Sequence, residues 1–334
     1  MRPYNQWLPL CVGLLALAFA VSVPLWANPG LVFIAGVILI QGLFAMSWNV
    51  LFGYAGLASF GHAGFFAIGA YATGAMLRFN TGIPFPIILV LSGLFGAVVA
   101  WLIGIIALRR LAGIFLAVLT VALSEILRLL ISYTKFLGAE DGLSNIPRPK
   151  INLGVGVLDL VPGENYYWFL LVVILLFVAA LWWLLHGRYG RIFQIIRQDA
   201  ERAAFLGTNV ARYRIFAFMV SGGVASLSGA LYAPWTRVVT LDEIHWLQSL
   251  QPMLNTLLGG VGSFWGPLVG SSAFALINYN TREYAGLSEV IVGAVLILII
   301  LVAPSGIVGL YHQVRLRLSG ALGGATGNGK RGQS

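Results

Sequence analysis

A carboxylate and a guanidinium stand inside one of the most apolar stretches of the chain, and these side chains have the clearest potential for chemistry. Glu125 and Arg128 are three positions apart, so they share one face of a helix, and Ser124 falls within the same stripe. Because a charge at the bilayer centre costs at least ~2.5 kcal/mol on insertion scales, we expect the two charges to pair and to face protein. The pair is either an internal clamp or part of a translocation pathway. No second intramembrane acid accompanies Glu125, which excludes an enzymatic carboxylate pair.

A glycine-rich stretch at 53–71, GYAGLASFGHAGFFAIGAY, holds Ser59 and His62 at membrane depth. Each glycine lowers helix propensity by about 1 kcal/mol relative to alanine, so their repeated use indicates close packing or a pathway. His62 is interpreted either as a buried, hydrogen-bonded packing residue or as a pathway residue. No other His, Cys or carboxylate lies at ligand spacing, so no metal site is predicted.

Three uncharged amides, Gln248, Gln251 and Asn255, lie within about 60° of one another on a helical surface. Pro252 lies in the same segment and frees the carbonyl of Gln248 from its helical hydrogen bond. Such a face suits hydrogen bonding to a polar solute better than conduction of an ion. It also suits bonding between membrane helices, typically about 0.6 kcal/mol per bond, and both interpretations stay open.

Composition places all of these residues in a polytopic membrane protein. Hydrophobic residues make up 59% of the 334 and charged residues 9%, against roughly 25% charged in a soluble domain. Mean hydropathy is +0.89. The net charge of +9 therefore does not indicate nucleic-acid binding, and the single cysteine, Cys11, excludes a disulfide within the chain. We predict an all-α fold of about ten transmembrane helices, with spans at 8–26, 31–51, 57–77, 86–108, 113–133, 166–186, 215–235, 246–258, 264–279 and 287–310.

The distribution of charge predicts an orientation. With the N-terminus inside, the inner loops collect most of the Lys and Arg, and the outer loops collect most of the acids. Both termini are therefore expected in the cytoplasm. The transmembrane domain is expected over 1–318, followed by a Gly/Ser-rich, disordered cytoplasmic tail at 319–334. A long outer loop carries Asp141 and Gly142 in a turn that either receives another protein or is simply solvated.

The segment at 187–214 is the longest strongly charged run, and it is predicted to be cytoplasmic. From Arg191 to Leu206 the residues have helical period, with an apolar face opposite a charged one. Gly207 then offers a helix stop. An amphipathic helix beside a membrane either lies among lipid headgroups or presents a face to a soluble partner.

Taken together, these stretches resemble the permease family of bacterial branched-chain amino-acid ABC importers. GLASFGHAGFFAIGAY at 56–71 is similar to the family's G-x-x-S-L-G-H-A-A-F-F-x-I-G-A-Y, and LAGIFLAVLTVALSEILRLL at 111–130 to its R-G-x-Y-F-A-I-L-T-L-A-F-A-E-I-L-R-L. GRIFQIIRQDAERAAFLGTNVARYRIFAF at 190–218 is similar to its G-R-A-x-x-A-I-R-E-N-E-x-A-A-x-x-x-G-I-N-V-x-x-Y-K-x-x-A-F. LLGGVGSFWGPLVGS at 257–271 is similar to its L-G-G-x-G-[ST]-x-x-G-P-x-x-G-A. Four motifs in this order span most of the chain.

The resemblance implies an ABC importer permease fold and a transport subunit that is not itself an enzyme and binds no cofactor. ATP and Mg²⁺ would belong to two separate ABC ATPase subunits. The other implied partners are a second homologous permease in a heterodimer, a periplasmic or lipid-anchored solute-binding protein, and the lipid of a bacterial inner membrane. No nucleic acid is implied. The segment similar to the coupling signature E-A-A-x-x-x-G supplies the predicted ATPase contacts, which are Gly190, Arg191, Arg197, Glu201, Ala203, Ala204 and Gly207.

The implied mechanism is alternating access, in which closure of the ATPases pushes through the amphipathic segment and rocks the bundle. The polar residues at membrane depth then become the predicted translocation pathway, and the turn at 141–142 faces the binding protein. The pathway prediction names Ser59, His62, Ser124, Glu125, Arg128, Gln248, Gln251 and Asn255.

The chain departs from the family pattern at two places that bear on the solute. The outer T-G-G-S-D-G-L becomes LGAEDGL at 137–143, and the S-I-E of many members becomes Ser249, Leu250 and Gln251. Since a carboxylate has become an amide, the solute stays open between branched-chain amino acids and urea or short amides. From another class, an ion-coupled secondary transporter using Glu125 or His62 is the alternative. A channel is disfavoured because the sequence shows no ring of charge.

Overall fold

The computed structural model describes residues 18–108, 113–152 and 157–281, together with 290, 291, 293, 294, 297, 298, 301 and 306–309. Three predictions fall outside the described residues: the beginning of the first span, most of the tenth span, and the tail at 319–334.

The described chain is helical almost throughout, as its composition predicts. A helical stretch at 18–26 precedes the ten α-helices described between residues 29 and 281. They are α1 (Pro29–Asn49), α2 (His62–Arg78), α3 (Phe85–Ala107), α4 (Ile114–Ser132), α5 (Gly163–His186), α6 (Arg188–Gln198), α7 (Ala200–Phe205), α8 (Val210–Thr236), α9 (Trp246–Gly259) and α10 (Gly266–Thr281).

Five of the helical stretches are long and apolar enough to cross a membrane, and each coincides with a predicted span. Three others, α2, α9 and α10, have 17, 14 and 16 residues, fewer than the roughly 20 that a full crossing needs. The five long stretches are Pro29–Ala55, Phe85–Ala107, Ile114–Ser132, Gly163–His186 and Val210–Thr236.

Two strands, β1 (Lys150–Asn152) and β2 (Val157–Asp159), form a small antiparallel hairpin where the sequence predicts only a loop. We call this side of the bundle the hairpin end. Helix α5 leads from it to the opposite side, which carries α6 and α7 and which we call the amphipathic end.

Helix α8 is the centre of the bundle and packs most extensively against α2 and α3. The contact with α2 is made backbone to backbone. A Cβ at Gly229 would collide with the carbonyl of Phe66, and a Cβ at Gly69 would collide with the carbonyl of Ser226. The many glycines thus permit close helix approach, as the composition predicts.

Helix α1 does not end where its apolar run ends but continues as a π-helix at Val50–Ala55. Gly56 then turns the chain with φ 70°, and α2 begins only at His62, five residues later than the predicted span. The start of α2 lies inside the bundle, so its free N–H groups need partners. The Thr120 hydroxyl accepts from Phe60 (3.2 Å) and Gly61 (3.3 Å), and the Ser249 hydroxyl accepts from Ala63 (3.0 Å).

Arg148 fixes the loop of the hairpin end to the last turn of α8. Its guanidinium donates to the carbonyls of Pro234 and Trp235, each at 3.3 Å, and to Val161 at 3.1 Å. It also lies over the ring of Trp235, 5.2 Å from the centroid. A cation at a helix C-terminus is favourable, because the last carbonyls carry partial negative charge.

Candidate coupling segment and polar sites of the bundle

The amphipathic segment forms two helices rather than the single helix that is predicted from Arg191 to Leu206. Helices α6 and α7 are separated by Asp199, which is extended with φ −156° and ψ 102°. Its carboxylate accepts the backbone N–H of Arg202 at 3.0 Å. An N-cap of this kind starts a new helix in competition with the old one, so the amphipathic period runs on while the helix does not.

Helix α7 ends at Phe205, and Gly207 makes the turn that stops it, as the sequence predicts. Gly207 has φ 82°, and its N–H donates to the carbonyl of Ala204 at 2.9 Å. The N–H of Thr208 donates to the carbonyl of Ala203 at 3.0 Å. These two bonds form a Schellman motif, which fixes the end of this short helix.

The outer side of α7 is exposed and apolar. Phe205 is 91% exposed and Leu206 82%, and Glu201 and Ala204 are exposed beside them. Ala203 is fully buried and attaches the helix to the bundle. Adjacent large apolar side chains at this exposure indicate a surface that another molecule covers.

Helix α6 lies flat against the bundle through Phe193 and Ile196, both buried. It follows α5 through a tight turn, since a Cβ at Gly190 would collide with the backbone of Leu185. Arg191 lies on the exposed face. The charged face of α6 is therefore free for a partner along most of its length.

Arg197 makes a direct contact between α6 and the membrane helices. Its Nη1 donates to the carbonyl of Gly53, inside the π-helix. Its side chain also covers Gly56, where a Cβ would press on the Arg197 Cγ at 2.9 Å. A residue predicted to contact an ATPase thus reaches inward as well.

Asn49 extends this contact to the turn between α9 and α10, and sequence reasoning missed it. Its Oδ1 accepts the N–H of Gly262 at 3.1 Å, and its Nδ2 donates to the carbonyl of Ser263 at 2.9 Å. Gly262 also borders Arg197. We call Asn49, Gly53, Arg197, Gly262 and Ser263 the junction, because they join α6, the end of α1 and the α9–α10 turn. An asparagine among apolar residues was the available signal.

His62 and Ser59 are fully enclosed by this chain. The Nε2 of His62 is 2.8 Å from the Ser47 hydroxyl, and its ring stacks on Phe44 with centroids 5.4 Å apart. Ser59 contributes its carbonyl to the indole N–H of Trp48 at 3.0 Å. The complete burial of His62 favours its packing interpretation, while its Nδ1 and the Ser59 hydroxyl have no hydrogen-bond partner within the described residues.

Glu125 and Arg128 form the ion pair that their spacing predicts. Arg128 Nε is 2.7 Å from Glu125 Oε2, and the two side chains are 34% and 29% exposed. Ser124 is buried behind them, where α4 packs on Gly64 of α2. The pair is half-buried, so the described part of this chain covers it only on one side.

Gln248 does not join the other predicted amides but binds the carboxylate of Glu243, one of the acids of the predicted outer loops. Its Nε2 donates to Glu243 Oε2 at 3.1 Å, and the Tyr232 hydroxyl donates to Glu243 Oε1 at 2.7 Å. Glu243 lies on the short 3₁₀ helix Leu241–Ile244 between α8 and α9. Burial raises the pKa of the Glu243 carboxyl above its ordinary value of 4.5, while the bonds from Tyr232 and Gln248 lower it.

Gln251 and Asn255 line a cavity of about 180 Å³ between α1, α9 and α10. Gln41 of α1 lines the same cavity and was missed by sequence reasoning, although a glutamine in the apolar run ILIQGLF is a visible signal. Ser271 and Asn278 add two more polar side chains from α10.

The turn at 141–142 is held against Val239, which follows α8. Gly142 has φ 73°, and a Cβ there would collide with the carbonyl of Val239. The next residue, Leu143, exchanges two backbone hydrogen bonds with Val239, at 2.9 and 2.8 Å. Asp141 is exposed at the tip of this anchored turn.

The predicted pathway residues therefore occupy four places: the enclosed His62 and Ser59, the half-buried Glu125 pair backed by Ser124, the Glu243 cluster with Gln248, and the cavity with Gln251 and Asn255. Within the described ranges no group of three or more His, Cys, Asp or Glu side chains is placed to hold a metal ion.

Comparison with known proteins identifies the family of the chain. Residues 30–303 match the family described as the branched-chain amino acid transport system, permease component. The high-affinity branched-chain amino acid transport system permease protein LivM of Escherichia coli is 29% identical over 328 residues, covering 92% of this chain and 77% of that protein. LivH of Escherichia coli is 23% identical over 287 residues, covering 80% of this chain and 90% of that protein.

A relative from Methanocaldococcus jannaschii, a probable branched-chain amino acid transport permease protein LivM, is 26% identical over 316 residues, covering 79% of this chain and 89% of that protein. No solved structure matches the chain. Because the family match covers most of the chain and both the apolar helices and the amphipathic segment fall within it, this multi-pass membrane protein belongs to the permease family of branched-chain amino acid transport systems.

Proposed function

We propose that this chain is the transmembrane permease subunit of an ATP-binding-cassette importer, carrying branched-chain amino acids or a similar small polar solute into the cell. Family membership supports the transport role. The observation that carries the coupling to an ATPase is α7, a capped helix that presents Phe205 and Leu206 to the surroundings at 91% and 82% exposure. An apolar face on a fixed helix suits the groove of a soluble partner.

The proposed energy transfer runs from the ATPase through α7 and α6 to the junction. Arg197 binds the π-helix at Gly53, and Asn49 binds the α9–α10 turn. Movement of α6 therefore pulls on the ends of α1, α9 and α10 together. A π-helix leaves backbone hydrogen bonding less regular than an α-helix, which suits a place where a helix must deform. The close-packed glycines of α2 and α8 then permit sliding during alternating access.

The proposed assembly contains two ABC ATPases that bind the ATP and Mg²⁺, a second homologous permease, and a periplasmic or lipid-anchored solute-binding protein. LivM and LivH are both similar to this chain, which supports a pair of related permeases. The proposed setting is a bacterial inner membrane with both termini in the cytoplasm. The amphipathic end then faces the cytoplasm, and the anchored turn with Asp141 faces the binding protein.

The proposed pathway uses the partly exposed polar groups. Glu125, Arg128, Gln248 and Gln251 are half-buried, so a second permease placed against α4 and α9 would enclose them. Asn255 lines the cavity behind them, and Ser124 backs the ion pair. His62 and Ser59 shape the pathway from within the wall, since both are fully buried.

Uptake of labelled leucine and of labelled urea into cells with and without this chain tests the proposal. We expect uptake that is lost when ATP is depleted with arsenate and that persists when an uncoupler collapses the ion gradients. The reverse pattern, sensitivity to the uncoupler alone, would contradict the proposal and indicate a secondary transporter. In that case Glu125→Gln and His62→Gln should abolish uptake.

A further inference from the structure

The cavity between α1, α9 and α10 has an unusual lining. Four of its polar side chains are carboxamides, while the described lining holds no charged side chain. Ser271 and Tyr279 add two hydroxyls, and the rest of the wall is aliphatic and aromatic, including Val37 and Phe274. The four carboxamides are those of Gln41, Gln251, Asn255 and Asn278.

Two of these amides are buried with unused hydrogen-bonding capacity. Gln41 is 6% exposed and Asn255 1%. The carboxamide oxygen of each is buried and has no hydrogen-bond partner within the described part of the chain. Buried polar side chains nearly always have a partner, so two unpaired amides at one cavity point to a guest that hydrogen-bonds there.

We propose that this cavity binds the solute during its passage and recognises an uncharged group of the carboxamide or urea type. The inference rests on the proposed transport function and names the class of solute for it. A carboxamide both donates and accepts hydrogen bonds, so its N–H groups can donate to the unpartnered oxygens of Gln41 and Asn255 while its oxygen accepts from an amide of the lining. A short aliphatic group of the solute lies against Val37 and Phe274.

A charged solute group fits this cavity poorly. A carboxylate or an ammonium in a low-dielectric site needs an opposite charge beside it. The intramembrane charges Glu125 and Arg128 neutralise each other at 2.7 Å, and neither lines the cavity. The volume of about 180 Å³ also lies below the roughly 300 Å³ at which drug-sized pockets begin, so the solute is small.

Two probes of nearly equal shape test the charge preference. Isobutyramide and isobutyrate share one branched aliphatic group and differ in a neutral carboxamide against a carboxylate. Saturation-transfer NMR measures the binding of each to the full chain, purified with its co-purifying subunits in lipid nanodiscs. We expect isobutyramide to bind at least about tenfold more tightly than isobutyrate, because only the amide is matched without a counter-charge.

Three variants locate the binding. Gln41→Met and Gln251→Met keep the length of each side chain and remove its amide, and we expect each to weaken isobutyramide at least about fivefold. Gln194→Met makes the same exchange on the exposed face of α6, outside the cavity, and should leave binding unchanged. Thermal melting of each variant verifies that the fold is kept.

Equal binding of the two probes would overturn the inference, as would unaltered binding in folded Gln41→Met or the absence of binding by either probe. Failure here is separable from failure of the proposed function. If ATP-dependent uptake is present while the cavity variants bind and transport normally, only the cavity assignment is wrong. If uptake is independent of ATP, the proposed function is wrong whether or not isobutyramide binds.

Discussion

Replacing Arg197 with Met tests the junction, because the change keeps the aliphatic stem and removes the guanidinium. The lost interaction is a hydrogen bond from a charged donor to the Gly53 carbonyl. Such bonds contribute about 1.5–3 kcal/mol when shielded, and because Arg197 is exposed, solvent screening reduces the contribution to about 1–1.5 kcal/mol. A loss of that size lowers the equilibrium constant for contact between α6 and the π-helix roughly five- to tenfold.

The assay is uptake per ATP hydrolysed, measured in proteoliposomes that contain the whole importer. In Arg197→Met we expect ATP hydrolysis to continue while solute uptake per ATP falls roughly fivefold or more, since α6 still meets the ATPase but no longer pulls on α1. Arg191→Met is the matched control. Arg191 is exposed on the same helix and makes no hydrogen bond within the described residues, so its loss should weaken ATPase association without changing uptake per ATP in assembled complexes.

An unchanged ratio of uptake to ATP hydrolysis in a folded Arg197→Met importer would refute this reasoning. The junction would then be a static packing contact. Loss of the ATPase from Arg197→Met during purification would also contradict the junction assignment, because it would show that Arg197 acts at the ATPase surface.

Three further predictions follow from burial. Ala204→Asp should abolish uptake while the permease still folds, because Ala204 is exposed. Ala203→Asp should prevent folding, because Ala203 is fully buried. Thermal melting and uptake together distinguish the two variants, and wild-type uptake in Ala204→Asp would contradict the proposal that α7 docks to the ATPase. Gly229→Leu should destabilise the bundle by about 3 kcal/mol, through collision with the Phe66 carbonyl, and an unchanged melting temperature would contradict the close packing of α2 on α8. Because burial raises the pKa of Glu243 above 4.5, the folded state holds that proton more tightly than the unfolded chain, so stability falls as pH rises above about 4.5. Glu243→Gln should remove this decline when melting temperature is measured against pH, and an identical slope in both proteins would count against it.

The long spans were predictable because the length of an apolar run is a local property. The five long helices match predicted spans to within a few residues, apart from α1, which runs on as a π-helix, and α8, which begins five residues early. The start of α2 was not predictable in the same way. It depends on Thr120 and Ser249, which lie 59 and 186 positions from their partners Gly61 and Ala63 and supply the missing hydrogen bonds only in the folded bundle.

The sequence identified most of the polar residues of the site, but it did not predict which of them lie together in the fold. Glu125 and Arg128 pair because three residues separate them on one helix, which the sequence displays directly. Gln248 was grouped with Gln251 on helical spacing, yet Glu243 takes its amide in the fold. Gln41 was visible as a polar residue in an apolar run, but its meeting with Asn255 depends on how α1 packs against α9, which no local pattern encodes.

The same limit explains the amphipathic segment. Its periodicity identifies the helix face, whereas the break at Asp199 depends on competition between one side-chain hydrogen bond and the next helical turn. Arg197 shows the complementary case, since its inward bond to Gly53 joins positions 144 apart in the chain.

Affinity purification of the full chain from its native membrane in mild detergent, with mass spectrometry of what accompanies it, tests the central claim most directly. We predict that ABC ATPase subunits and a second, related permease co-purify, and that Ala204→Asp loses the ATPases while keeping the permease. Recovery of the chain alone, or with copies of itself only, would contradict its assignment as a subunit of an ATP-driven importer.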